Sequence, residues 1–192
     1  AVAPRPDTPL KPERTLLLGW NERGRVLLQE LDNYVQPGSY VKVVSTYPSS
    51  GSIADVAARM KHTQLEFLQA DTTDRSVLDS LEVTTYDHIL LLCYKDAMEL
   101  HDADAVTLIT LLHLRNISEL TGTDLSVVSE MLDARNRELA EVTKADDFIV
   151  SDKMISLLMS QISQNKHLMG VFADLFQAEG SEVYLKPAGD YV

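Results

Sequence analysis

Cysteine and basic residues are scarce in this 192-residue sequence. Its single cysteine, Cys93, cannot form an intramolecular disulfide, and it excludes a zinc site built from several thiolates. Lysine and arginine number 17 against 29 aspartates and glutamates, which gives a formal charge of -12. Such a chain repels phosphate backbones and anionic lipid surfaces, so the composition argues against nucleic-acid binding. A reducing compartment is the simplest setting for a lone thiol.

Long hydrophobic runs are also missing. The apolar stretch at residues 89–93 is far shorter than the ~20 residues that a membrane-spanning helix needs. Residues 1–14 contain four prolines and lack the apolar stretch of a secretory signal, so they are expected to form a linker. With 45% hydrophobic residues, the chain can build the core of one globular domain. We therefore expect no direct insertion into a membrane.

Short apolar runs alternate with stretches of helical spacing from residue 15 to about residue 150. A strand buried on both faces reads as a continuous apolar run, as residues 89–93 do. Strands that alternate with helices predict an α/β fold with a doubly wound, mostly parallel sheet. We expect strands at residues 15–19, 40–45, 65–70, 86–94 and 125–131, and helices at residues 24–35, 52–60, 76–81, 102–117 and 134–142.

The pattern changes at residue 151, where two amphipathic helices follow the predicted sheet. They are expected at residues 154–162 and 168–176, with a small extra strand at 182–185. Methionines give their apolar faces adaptable packing. The helical pair in residues 151–192 either covers the sheet or contacts another subunit, and the sequence leaves both interpretations open.

The turn after the first predicted strand resembles a dinucleotide fingerprint in which the outer glycines, Gly19 and Gly24, are present. Asn21 replaces the middle glycine, and Asn21 together with the bulky Trp20 is expected to crowd a pyrophosphate. The second strand ends in Ser45, where a carboxylate would normally bind the ribose. The turn therefore either binds NAD weakly or serves only the fold.

A group of polar residues follows the third predicted strand. Asp71 and Thr72 could present oxygens to a ligand at the carboxyl edge of the sheet, although helix capping by Thr73 or Asp74 is the simpler interpretation.

Acidic residues cluster before the helix predicted at 102–117. The oxygens of Glu99, Asp102 and Asp104 suit calcium, but acids at a helix N-terminus also interact favourably with the helix dipole. Residues 97–192 carry 16 acidic and 7 basic residues, so a cation site is expected in this half or between subunits, with Asp146 and Asp147 as further candidates.

Sequence signatures of enzymes are absent. The chain contains no G-x-S-x-G elbow, no H-E-x-x-H pair and no phosphate-binding G-x-x-x-x-G-K-[ST] loop. Cys93 is expected to be a packed, inert thiol. The sequence therefore predicts a protein without catalytic residues, and the alternative is an NAD-dependent oxidoreductase with a degenerate fingerprint.

Several segments together resemble the cytosolic regulatory domains of the Castor and Pollux ion channels, which belong to the wider class of domains that regulate potassium conductance. The resembling segments lie at residues 17–20, 37–39, 130–133, 148–151 and 172–192.

The resemblance implies a Rossmann-like, ligand-sensing domain over residues 15–150, on the cytoplasmic face of a membrane below a channel pore that lies outside this chain. It implies assembly with copies of itself into a gating ring through residues 151–192. The ligand turn would be Gly19–Gly24, with Ser45 at the ribose position and Asp71 and Thr72 beside it. Calcium regulation is associated with the Castor-like branch, so calcium is favoured over NAD as the ligand, whose identity the sequence does not give.

Overall fold

The computed structural model describes residues 11–47, 50–133, 136, 147–165 and 167–175. Six parallel strands form one sheet in the order β3-β2-β1-β4-β5-β6. This is the strand order of the doubly wound Rossmann fold, so the predicted fold class is confirmed. The strands are β1 (Arg14–Leu18), β2 (Ser39–Ser45), β3 (Thr63–Gln69), β4 (His88–Leu91), β5 (Val127–Met131) and β6 (Asp147–Val150).

Helices connect the strands of this sheet. The connections from β1 to β2, from β2 to β3 and from β3 to β4 each contain a helix, as crossovers between parallel strands usually do. The helices are α1 (Arg23–Tyr34), α2 (Ser50–Ala57), α3 (Arg75–Ser80), α4 (Leu100–Thr121), α5 (Ser151–Gln164) and α6 (Leu168–Leu175).

The central strand β1 is buried on both faces. Leu16 and Leu18 pack into a core with residues of α3 and α4, whereas Leu17 packs into a second core with Leu28 of α1. This arrangement follows from the two-residue repeat of a strand, which sends neighbouring side chains to opposite faces. The turn after β1 is therefore held in place from both sides of the sheet.

The fourth strand and the fourth helix differ from their predicted bounds, and one strand was not predicted. The fourth strand is shorter than expected, because it ends at Leu91 and leaves Cys93 in the following loop. The fourth helix is longer, and it is capped by Gly122, whose φ of 67° suits a helix terminus. Strand β6 was not predicted, since its four residues are too few to show a two-residue repeat. The helix predicted at 134–142, apart from Asn136, and the strand at 182–185 lie outside the described residues.

The described residues divide into two compact units. Pro12–Ile155 form one unit, and residues 156–175 belong to the other. In the second unit, Leu157, Met159, Met169 and Val171 are exposed on α5 and α6. None of the helices within the described ranges combines the length and the apolar character needed to cross a membrane.

Candidate functional site

The turn between β1 and α1 lies at the carboxyl edge of the sheet, next to the residues that follow β4. The strand order reverses between β1 and β4, and such a point is where open α/β sheets bind ligands. The structure therefore places Gly19–Gly24 where the sequence analysis expected a ligand turn. The loop after β4 and the end of β5 complete this candidate site.

The two outer glycines of the turn are required by close packing. Gly19 has a φ of 86°, and a Cβ on it would lie 2.0 Å from the carbonyl oxygen of Leu92. A Cβ on Gly24 would lie 2.8 Å from the ring of Trp20. Trp20 is itself a core residue that packs with Leu28, so its ring supports α1, contrary to the expectation that it crowds a ligand. Both glycines thus serve the fold.

Asn21 replaces the middle glycine of the fingerprint and is buried. Its side-chain nitrogen donates to the carbonyl oxygen of Cys93 at 2.8 Å and to Oε2 of Glu130 at 2.7 Å. Its side-chain oxygen accepts the backbone N–H of Arg23 at 2.9 Å. Both polar atoms of the amide group are engaged with the protein, which ties the turn to the ends of β4 and β5.

Glu130 is a site residue that the sequence analysis named only within a resembling segment. It is 6% exposed and forms an ion pair with the guanidinium of Arg23. Besides Asn21, it accepts the backbone N–H of Cys93 at 3.3 Å and the thiol of Cys93 at 3.2 Å. The only sequence signal was an acid near the end of a mostly apolar strand. A buried carboxylate needs such partners, because an unpaired buried charge is costly.

Cys93 has a buried free thiol that contacts this carboxylate. Burial raises the pKa of the thiol well above its ordinary value, and the negative charge of Glu130 raises it further. The thiol is therefore protonated at neutral pH and donates to Glu130. A protonated, enclosed thiol is a poor nucleophile, as the sequence analysis expected for this residue.

Ser45, Asp71 and Thr72 are each engaged by neighbouring residues. Ser45 is buried, and its hydroxyl donates to the carbonyl oxygen of Tyr47 at 3.1 Å. Asp71 is exposed, and it accepts the backbone N–H of Thr73 at 2.9 Å. Asp74 caps α3 by accepting the N–H of Ser76, which confirms the capping interpretation of this segment.

Tyr94 fills the space beside these three residues. Its hydroxyl oxygen lies 3.3 Å from Oγ1 of Thr72 and accepts the backbone N–H of Thr46 at 3.3 Å. The cavity lined by Gly19, Thr72 and Tyr94 measures about 10 Å³, which is close to the minimum for a single water molecule. Among the described residues, this cavity is therefore too small for a dinucleotide.

The acidic residues at the start of α4 occupy different environments. Glu99 and Asp102 are exposed, whereas Asp104 is buried. The carboxylate of Asp104 accepts the backbone N–H groups of Leu132 and Asp133 at 2.9 and 3.0 Å, so it holds the chain that leaves β5. Asp104 has a structural role within one chain.

The remaining metal candidates are Asp146 and Asp147. Asp147 begins β6, and Asp146 lies outside the described residues. Across the part of the chain that the structure describes, no group of three or more His, Cys, Asp or Glu residues could hold a metal ion. A cation site that several chains build together stays a prediction.

Comparison with known proteins links this geometry to channel regulation. A model of the TrkA-N domain family matches residues 15–151. The ion channel POLLUX of Lotus japonicus is 25% identical over 97% of this chain, which spans 24% of that protein. The resemblance noted from the sequence motifs is thereby confirmed.

Solved structures share the fold. The human SLO3 gating ring superposes with a TM-score of 0.61 at 12% identity, over 92% of this chain and 31% of that one. The NAD(P)-binding domain of an exopolyphosphatase-related protein from Archaeoglobus fulgidus superposes with a TM-score of 0.56 at 20% identity, over 79% of this chain and 98% of that one.

Proposed function

The chain belongs to the TrkA-N domain family, and on that premise we propose that it is a non-enzymatic regulatory domain of a Castor/Pollux-like ion channel. The observation that carries this proposal is the similarity to the POLLUX channel over 97% of the chain. The chain spans about a quarter of that relative, and the proposal places the pore outside the sequence given. The domain would then work on the cytoplasmic face of the membrane.

The chemistry of the candidate site supports regulation over catalysis. Its buried carboxylate, Glu130, is engaged by Arg23, Asn21 and Cys93, and the Cys93 thiol is protonated. A reductase needs an open nicotinamide pocket and a proton donor beside it. Tyr94 occupies the space at the ends of β2 and β3 where the ribose of such a cofactor would bind, so the oxidoreductase alternative is not favoured.

Two exposed apolar surfaces support assembly with copies of the same chain. The helix-pair surface consists of Leu157, Met159, Met169 and Val171, and the α4 surface consists of Ile109 and Leu112. A ring built by head-to-tail contacts needs two different surfaces on each subunit. We infer that these surfaces are the two contacts of a gating ring.

Calcium is the proposed effector of this ring. Glu99 and Asp102 are exposed carboxylates at the start of α4, and oxygen ligands of this kind suit calcium. Asp104 is engaged within its own chain, so the further ligands would come from a facing chain or from Asp146 and Asp147. Calcium binding between subunits would favour the assembled state.

A chimeric channel tests the proposed function. The matching quarter of the Lotus japonicus POLLUX channel is replaced by this chain, and currents are recorded in planar bilayers beside the parent and a version that lacks the segment. We expect the chimera to restore gating that the deletion loses, and a chimera with Leu157→Glu and Met159→Glu to lose it again. A chimera that reaches the membrane yet gates like the deletion contradicts the proposal.

A further inference from the structure

The loop after β4 enters the ligand cleft at three points. The carbonyl oxygen of Cys93 accepts the side-chain N–H of Asn21 in the turn. Tyr94 reaches the residues after β2 and β3, and Asp96 reaches the N-terminus of α1. A segment of four residues thus contacts the turn, the start of α1 and the residues after β2 and β3.

Asp96 supplies a negative charge at the start of α1. Its Oδ2 accepts the backbone N–H of Glu22 at 2.7 Å, the short distance of a charge-assisted hydrogen bond. The first N–H groups of a helix point away from it and favour an anion, and this is where the fingerprint turn holds a pyrophosphate. The N–H groups of Arg23 and Gly24 are bound by the side-chain and backbone oxygens of Asn21. The protein therefore occupies the anion position itself.

Tyr94 supplies an aromatic ring in the neighbouring part of the cleft. The residue is 2% exposed, and its ring packs edge to face with that of Tyr47, with ring centroids 5.4 Å apart. Its hydroxyl contacts the N–H of Thr46 and the hydroxyl of Thr72 at the ends of β2 and β3. In a dinucleotide-binding sheet, the end of β2 is where the ribose hydroxyls bind.

We propose that residues 93–96 are a built-in ligand of this domain, in which the Asp96 carboxylate takes the place of a nucleotide phosphate and Tyr94 takes the place of the nucleoside. The closed cleft is then a property of the chain and needs no nucleotide. Removing the two side chains frees the backbone N–H of Glu22 at the start of α1 and opens an aromatic-sized cavity, which a nucleoside diphosphate can enter.

Calorimetry with adenosine diphosphate tests this proposal on the full chain. The test variant is Tyr94→Ala with Asp96→Ala, and the control is Asp124→Ala, which removes one exposed carboxylate away from the cleft. We expect no saturable binding to the native chain or the control. The double variant should melt at a lower temperature, bind the nucleotide at least tenfold more tightly than the native chain, and regain thermal stability when the nucleotide is added.

Two results would overturn the proposal. One is a folded double variant that binds adenosine diphosphate no better than the native chain, and the other is saturable micromolar binding to the native chain. If the double variant does not fold, Asp96→Asn keeps Tyr94 in place and removes only the charge. Inorganic pyrophosphate should then raise the melting temperature of Asp96→Asn more than that of Asp124→Asn, and equal shifts would contradict the built-in ligand.

Discussion

Gly19 and Gly122 share a left-handed backbone conformation, but only Gly19 is enclosed. An added methyl group at Gly19 would lie 2.0 Å from the backbone oxygen of Leu92. An added methyl group at Gly122 would have no neighbouring atom within 4 Å among the described residues. Gly122→Ala should therefore cost only the backbone strain of about 1–2 kcal/mol. Gly19→Ala should cost clearly more, because Leu92 must also move. Urea unfolding of both variants measures their loss of unfolding free energy. Equal losses would show that the contact with Leu92 does not destabilise Gly19→Ala.

Asp32 links the end of α1 to the residues before β3. Burial disfavours its charge, but the backbone N–H groups of Lys61 and His62 donate to the carboxylate at 2.7 and 3.0 Å and hold its pKa below the ordinary value. The stabilisation is therefore present at neutral pH and is lost as the pH falls through the lowered pKa. Asp32→Asn should lose about 1–3 kcal/mol of unfolding free energy at pH 7. Urea unfolding should show that the variant and the native chain differ less in unfolding free energy in strong acid than at pH 7. The same difference at both pH values would contradict this.

Cys93 offers a chemical test of the buried cluster. Burial and the charge of Glu130 raise the pKa of its thiol, and the thiolate is the form that reacts with disulfide reagents. We expect almost no labelling of the native chain at pH 8 and complete labelling in urea. Rapid labelling of the folded chain would place the thiol in contact with solvent.

Single residues of the site were predictable from the sequence only where local geometry requires them. The outer glycines and Asn21 follow from the spacing of one turn. Glu130 and Tyr94 did not emerge as site residues, because their partners in the turn and after β2 lie far away in the chain and become neighbours only when the sheet forms.

At the scale of elements, the alternation of strands and helices predicted the parallel sheet because each element has a clear hydrophobic repeat. The order of the strands in the sheet does not follow from that repeat, since it depends on how the crossovers pack. The sequence pattern of the four residues of β6 is too short to distinguish a strand from a loop. These residues form a strand because their backbone pairs with β5.

The helix pair α5 and α6 is expected to mediate self-association. Leu168 and Phe172 are half-buried, so charges there would also disturb packing, whereas Leu157 and Met159 are exposed. Leu157→Glu with Met159→Glu should give a folded chain of lower mass in light scattering than the native chain at the same concentration. Ser156→Glu with Ser160→Glu adds the same charge at neighbouring exposed positions and serves as the control. A native chain that stays monomeric at high concentration would contradict the assembly.

At the scale of the whole molecule, the acidic excess opposes close assembly unless cations screen or bridge it. A site built from carboxylates of several chains should prefer calcium, whereas screening depends only on ionic strength. We expect calcium to raise the melting temperature more than sodium at matched ionic strength, and Glu99→Gln with Asp102→Asn to reduce that difference. Equal shifts for both salts would show that the acidic surface is merely solvated.

The cleft of this Rossmann-like domain is expected to bind no dinucleotide. Calorimetric titration of NAD into the unmodified chain tests this expectation most directly, because the turn, the end of β2 and the filled cleft all argue against binding. We expect no saturable heat even at millimolar NAD. Submicromolar affinity would contradict it, and the oxidoreductase alternative would then regain weight.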